Sequence, residues 1–255
     1  CNKRKQPHRN FRDLAAASPP KPPTDAPASP NQPAVKPTPA SPMLDPALAA
    51  AYHRCGAVLV RRAFSASHLD LAAAAIASAL ASPSPLALRA SPAADGAFRE
   101  DFCTYRNSPA MQRLLRESPA AEIAAALTGA GNIRMYHDHV LVKEPGTKQK
   151  TPWHQDLPYY NVEGEQFVSM WLPVDPVPVE SSLRVVSGTH RGPWYMPRTF
   201  LDHRAKWFPE GSLPELPDFD ADLAADLTAW EVLEWEMEPG DVVFFHGLSV
   251  HGTGG

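Results

Sequence analysis

After Gly131 the chain breaks into short runs rich in Val, Ile, Phe and Trp: NIRMYHDHVLVK, QFVSMWLPV, SLRVV, EVLEWEM and DVVFF, parted by turns such as EPG, SGTHRGP and EPGD. β-branched and aromatic residues suit pleated, half-buried backbone, and turn residues at such short intervals leave little room for helices. The texture predicts a double-sheet or barrel β core, which brings side chains from distant strands around one cavity. Upstream the signals are helical. Asp45-Pro46 is a cap and first-turn pair and Gly56 a stop, predicting a helix over about 46–54. AVLVRRAF reads as a strand. SASHLDLAAAAIASAL reads as a second helix with Leu69, Ile76 and Leu80 on its apolar side, and Ser108-Pro109 and Ser118-Pro119 each open a short helix, the last ending at Gly129. The N-terminal half is expected to be helical, packed outside the β core.

Residues 19–42 hold ten of the 29 prolines, set among Ser, Ala and Thr. Such sequence buries too little apolar area to offset ordering entropy, so 1–42 is expected to be a disordered extension and 43–255 the ordered domain. The first methionine is Met43, and the basic opening CNKRKQPHRNFR admits a targeting remnant, although the proline density of residues 1–42 opposes an amphipathic helix. With 24 basic and 28 acidic residues interspersed, the chain lacks the polybasic surface that phosphate backbones require, so no nucleic-acid partner is expected. Cys1, Cys55 and Cys103 show no C-x-x-C spacing, which fits a reducing compartment such as the cytoplasm. The apolar stretch ALAAAYHRCGAVLV is broken by His53 and Arg54, so no membrane span is expected. Nothing in the sequence signals an oligomeric state.

Several histidine patterns compete for a metal. His68 and Asp70 have H-x-D spacing but fall at a helix start, where residues two apart point some 200° from each other. They read as a helix-start pair. His137, His139 and Glu144 follow Gly131 in the spacing G-x5-H-x-H-x4-E, the first half of a cupin pattern, and alternate strand residues share a face. The glycine expected seven residues after Glu144 is Thr151, and the second half of that pattern is absent. In TPWHQDLPYYN, His154 and Asp156 lie in an extended, proline-flanked segment, where one imidazole and one carboxylate can reach one ion. The stretch EPGDVVFFHGLSVHGTGG offers His246 or His251 as a third ligand. Two histidines and a carboxylate on one side of an ion leave adjacent positions open, an arrangement that suits non-heme Fe(II).

Taken in order, AAAYHRCGAVLVRRAFSASHLDLAAAAI, HVLVKEPG, WHQDLPYY, SMWLPVDPV, SLRVVSGTHRG and GDVVFFHGLSVHGTGG resemble the phytanoyl-CoA dioxygenase family of Fe(II)- and 2-oxoglutarate-dependent oxygenases. The resemblance covers about residues 44–255. It implies a mainly β fold with flanking α-helices, a double-stranded β-helix (jelly-roll) core, and iron held by His154, Asp156 and His251, with His246 a strand-end residue. It further implies that Thr253 grips the distal carboxylate of 2-oxoglutarate, that Trp171 lines the cosubstrate pocket, and that His139 faces the cosubstrate. The family's arginine about ten places after the distal histidine falls beyond Gly255, so the jelly roll is expected to be C-terminally incomplete here. The turn that is commonly Asn-Gly in relatives is Glu180-Ser181-Ser182.

The implied reaction consumes O2 and 2-oxoglutarate, releases succinate and CO2, and hydroxylates an unactivated C–H of a small-molecule substrate. Related halogenases replace the ligand carboxylate with a small residue, so Asp156 favours hydroxylation. The rival readings are a catalytically silent jelly-roll binding module and a cupin-type metalloenzyme using His137, His139 and Glu144. In KEPGTKQK, Lys143, Lys148 and Lys150 read as a solvated charged loop.

Overall fold

A computed structural model of the chain describes residues 44–90, 97–147, 149–200 and 202–254; the expected Pro-rich extension over 1–42 lies outside the described residues. Helix α1 (Pro46–Cys55) opens with the Asp45 side chain accepting from Ala47 N and closes at Gly56, whose φ of 80° lets its N–H reach Tyr52 O at 2.7 Å. Strand β1 (Ala57–Val60) follows, then α2 (Ala66–Ala81). In α2, His68 completes a capping box with Ser65: His68 Nδ1 accepts from Ser65 N at 3.3 Å, so the His68/Asp70 pair is a helix start as its position predicts. Helices α3 (Pro109–Glu117) and α4 (Ala120–Thr128) fall where the Ser-Pro pairs place them.

The N-terminal half is not purely helical. Strands β2 (Leu88–Arg89) and β3 (Phe98–Phe102) interrupt it and pair with β4 (His139–Lys143) in an antiparallel sheet ordered β2-β3-β4. The charges of FREDF hide its period of two. Phe98, Glu100 and Phe102 sit opposite Lys143, Leu141 and His139 and share their face, while Arg99 and Asp101 take the other. The long run NIRMYHDHVLVK is strand only from His139. Just before it, buried Asp138 turns back to accept from Thr104 N (2.9 Å), Thr104 Oγ1 (2.5 Å) and Tyr105 N (3.0 Å), which takes that residue out of any ladder.

The remaining strands are β5 (Thr151–His154), β6 (Val168–Trp171), β7 (Leu183–Val186), β8 (Val232–Leu233), β9 (Val242–His246) and β10 (His251–Thr253). They form two sheets, β1-β9-β6 and β5-β10-β7-β8. Period-two alternation divides the first sheet's faces. Val58, Val60, Val242 and Phe244 pack under α2, α3 and α4 against Ala75, Leu114 and Leu127. Ala57, Val243 and Phe245 point the other way and meet Leu183 and Val185 of the second sheet, with Trp171 at the margin. The second sheet's far side is closed by Phe219 of a short helix α5 (Phe219–Ala225), which the sequence did not announce, packed with Val186, Val250, Trp153 and Trp230. The turn before β9 is fixed by Asp241, which accepts from Arg61 Nη1 (2.7 Å), Arg62 N (2.8 Å) and Glu238 N (3.1 Å). No helix among the described residues is long and apolar enough to cross a membrane.

Candidate metal centre

Strands β5 and β10 are neighbours in the four-stranded sheet, and His154 lies directly opposite His251. Opposed residues of an antiparallel pair project to the same face, so the two rings meet with centroids 4.2 Å apart. The backbones approach closely at Gly252, where a Cβ would come within 2.8 Å of Thr151 O. The chain then turns out of β5, and Asp156 swings beside both rings: its Oδ1 lies 3.5 Å from His154 Nε2 and 3.5 Å from His251 Nε2. Gln155, between the two ligand candidates, points away and braces the turn, donating to Pro193 O (3.0 Å) and Leu248 O (2.9 Å) and accepting from Tyr195 N (2.9 Å).

Each imidazole is oriented by its other nitrogen. His154 Nδ1 is 2.8 Å from Pro152 O and His251 Nδ1 is 2.9 Å from Ser249 O, and a carbonyl can only accept, so both Nδ1 atoms carry hydrogen, which in a neutral ring leaves the lone pair on Nε2. Asp156 Oδ2 accepts from Ser169 Oγ at 2.6 Å, leaving Oδ1 free. Burial pushes the Asp156 carboxyl up, but the His251 and His154 rings and the Ser169 hydroxyl outweigh it and hold the group well below the usual carboxylate range. Burial, aided by His154, lowers His251 to about 4. At neutral pH the set is one carboxylate and a neutral His251, the protonation state that metal ligation requires. Among the described residues His154, Asp156 and His251 form the one such donor cluster, with their donor atoms within 4.8 Å of one another. Bonds of about 2.1 Å at right angles put donor atoms about 3 Å apart. The 3.5 Å separations therefore need only a small contraction, and the donor set fits a divalent ion.

The cupin-type alternative is not assembled. Glu144 pairs with Arg99 at 3.3 Å instead of joining the histidines, and His137 stands before β4 in irregular backbone, against Phe102 and Tyr160. His139 stacks on Phe102 with centroids 4.0 Å apart, and burial, with His137, lowers it to about 4. His246 is a strand-end residue: its Nδ1 accepts from Leu248 N at 3.0 Å and its Nε2 lies 3.1 Å from Glu165 O. Trp171 shares a strand face with Ser169, the partner of Asp156, and its ring packs against the inter-sheet cluster.

Lys143 corrects the sequence reading. It is a partly buried strand residue whose Nζ donates to Thr253 Oγ1 (3.0 Å) and Gly254 O (2.8 Å) and lies 5.2 Å from the centre of the Phe98 ring, while burial lowers its pKa. The signal was present in the alternation His139, Leu141, Lys143, but KEPGTKQK reads as loop. Lys148 lies outside the described residues. The sequence also did not announce the segment following residue 193 as a cover. A cavity of about 320 Å³ there is lined by His154, Trp153, Tyr159, Met196, Phe200 and His203 among others. Phe200 packs on the His154 ring at 4.9 Å. The Tyr159 hydroxyl donates to Arg198 O (2.7 Å) and accepts from Arg198 N (3.0 Å), and Arg198 itself is held by Glu210 and Glu215.

Comparison with known proteins gives the chain's relatives. A "Probable phytanoyl-CoA dioxygenase" of Caenorhabditis elegans is 28% identical over 162 residues, 59% of this chain and 47% of that protein, so the chain spans about half the length of this relative. Among solved structures, the non-heme alpha ketoglutarate dependent carbocyclase SnoK from nogalamycin biosynthesis matches with a TM-score of 0.63 at 22% identity, over 83% of this chain and 78% of that one. The epimerase SnoN in complex with Fe3+, alpha ketoglutarate and nogalamycin RO matches with a TM-score of 0.61 at 24% identity, over 82% and 78%. These likenesses establish the fold, a set of β-sheets with flanking helices. The family profile described as Phytanoyl-CoA dioxygenase (PhyH) matches residues 52–255, and the chain belongs to that family.

Proposed function

We propose that this chain carries the catalytic centre of an Fe(II)- and 2-oxoglutarate-dependent dioxygenase that hydroxylates a C–H bond of a small molecule. The observation that carries the reading is the His154/Asp156/His251 cluster, with Nδ1 of each ring anchored to a carbonyl and the carboxylate tied to Ser169. Iron bound there supplies the redox chemistry in which O2 and 2-oxoglutarate are consumed, succinate and CO2 leave, and the substrate gains a hydroxyl. The presence of alpha ketoglutarate and Fe3+ in the SnoN complex supports the same pair of groups for this chain.

The chain's own residues have separate tasks. His154 and His251 offer their Nε2 lone pairs without reorienting, because the carbonyl anchors fix each ring. The Ser169 hydroxyl occupies Asp156 Oδ2, so Oδ1 is the carboxylate atom that would be offered to the metal. Lys143 and Thr253 together form a cationic, hydroxyl-bearing end for the distal carboxylate of 2-oxoglutarate, with Trp171 lining that pocket and His139 facing it. Phe200 and Tyr159 exclude water from the His154 side. Asp156 keeps a carboxylate in the donor set, which favours hydroxylation over halogenation.

We read residues 43–255 as one domain and its two facing sheets as a double-stranded β-helix. The free thiols Cys55 and Cys103 suit a reducing compartment, the cytoplasm being the simplest. Anaerobic titration with Fe(II) and 2-oxoglutarate tests the function: a visible metal-to-ligand charge-transfer band should form, vanish in His154→Ala and persist in His137→Ala. A chain that binds both without a band, or a band that survives His154→Ala, refutes the assignment.

A further inference from the structure

The cavity of about 320 Å³ that His154 lines is walled by aromatic rings standing steeply to one another. His154 meets Phe200 with centroids 4.9 Å apart and an interplanar angle of 62°, and meets Tyr159 at 6.0 Å and 86°. Tyr159 and Phe200, which line the same cavity, meet at 6.0 Å and 74°. No pair among them is stacked, so these rings form a corner and do not cover one another's faces. A flat guest in such a corner lies along one ring and edge-on to another, the two arrangements that aromatic pairs favour. Two of the walls are set in advance: the Tyr159 hydroxyl is bonded to both the N–H and the carbonyl of Arg198, and His154 Nδ1 is anchored on Pro152 O. Met196 and Leu216 add apolar lining.

The charges around the cavity are already engaged. Among the described lining residues Arg198 is the one permanent cation, and every nitrogen of its guanidinium is occupied. Its Nε donates to Glu215 at 2.9 Å, its Nη2 to Glu215 and Glu210 at 2.6 Å each, and its Nη1 to His203 O at 2.8 Å. An entering carboxylate or phosphate would shed its hydration and find no guanidinium donor to replace it. The acids are spent as well. Glu215 is held by Arg198, and Asp218 accepts from Ala221 N at 3.0 Å as the cap of α5. Beside the cavity, Lys206 Nζ rests 5.4 Å from the centres of both the Tyr159 and Trp207 rings, whose faces offset its charge.

We propose that this cavity is the substrate site and that the substrate is an uncharged aromatic molecule whose ring seats in the corner of His154, Tyr159 and Phe200. The proposal rests on the oxygenase reading and names the substrate class of that site. Because His154 belongs to both the cavity and the donor cluster, a ring seated there lies beside the candidate metal. The volume falls at the small end of ligand pockets, which run from about 300 to 1,000 Å³, and suits a molecule of one or two rings.

The test uses the full chain with probes on one carbon skeleton: 2-naphthalenemethanol, its fully saturated decalin counterpart, 2-naphthylmethylammonium and 2-naphthoate. Binding is read anaerobically as a perturbation of the Fe(II)/2-oxoglutarate band and, in parallel without metal, as a ligand-induced rise in Tm. Failure of the band to form in the unaltered protein counts against the oxygenase reading, while the metal-free Tm series still decides the substrate class. The aromatic alcohol should bind at least about tenfold more tightly than the saturated one, a ratio that two aromatic contacts supply, and more tightly than either charged probe. Phe200→Leu, which stays apolar but loses the ring, should cut the ratio of aromatic to saturated binding below about threefold, and Phe200→Tyr should preserve it. Equal binding of the two alcohols, no binding of the aromatic alcohol, tighter binding of the carboxylate or the ammonium, or a ratio untouched by Phe200→Leu overturns the proposal. All but the last of these are read on the unaltered chain, so they hold even where a Phe200 variant fails to fold.

Discussion

Two walls of this molecule turn histidines toward the same space and hold them in opposite ways. On the β5-β10 wall His154 and His251 each spend Nδ1 on a backbone carbonyl, so their orientation is set before any ligand arrives. On the β3-β4 wall His139 Nε2 has no hydrogen-bond partner, nor has Nδ1 of His137 in the segment leading into it, and both rings lean on Phe102. Hydrogen-bonded rings give fixed lone pairs, which a metal needs; stacked rings can adjust, which suits a ligand surface. Histidine count alone therefore separates nothing. What distinguishes the walls is where the second nitrogen goes.

The strongest way to break this comparison is to delete a ring from each. His251→Ala should lower Fe(II) affinity by more than about a thousandfold, beyond the 10–100-fold typical of losing a supporting partner. His139→Ala should change it less than about fivefold; comparable losses by calorimetric titration would dissolve the distinction. Next is acid sensitivity of the metal-free chain. Burial lowers both His251 and His139 to about 4. Their unfolded value is about 6.5, so below it the unfolded chain binds protons that the folded chain refuses. Stability from this source is fully present above about pH 6.5 and is lost as pH falls toward 4, by at most about 3 kcal/mol per histidine. Urea midpoints across that window should show the decline, and His139→Phe should make it shallower.

Two smaller effects sharpen the picture. Ser169→Ala removes the hydroxyl on Asp156 Oδ2 and should weaken metal binding about 10–100-fold with the fold intact. Glu144→Gln should shift metal affinity less than about twofold, because Glu144 faces Arg99 at the surface. A large loss there would revive the cupin-type site.

Legibility in the sequence followed the same division. The grouping of His154, Asp156 and His251 was legible because H-x-D spacing keeps two donor side chains within reach of each other and GLSVHGT offered a third, although Asp156 meets the rings through the turn after β5 and not from extended backbone. The α1, α3 and α4 starts were legible because Asp45-Pro46, Ser108-Pro109 and Ser118-Pro119 act locally. The β2-β3-β4 sheet was not. FREDF spends three of its five residues on charges whose partners lie elsewhere: Asp101 is satisfied by Ser84, seventeen residues back. Lys143 was hidden for a related reason, since its partners Thr253 and Gly254 are more than a hundred residues downstream. A short-range reading finds groups that act through their neighbours and misses those completed by tertiary contact.

The Tyr159 hydroxyl, bonded both ways to the Arg198 backbone, belongs to the same tight turn that begins at Asp156. Whatever steadies Asp156 therefore also steadies the contact with Arg198. By linkage, filling the metal site should slow amide exchange and protease cutting near Arg198, so the proteolytic lifetime of that segment becomes an external gauge of how much of a preparation is loaded.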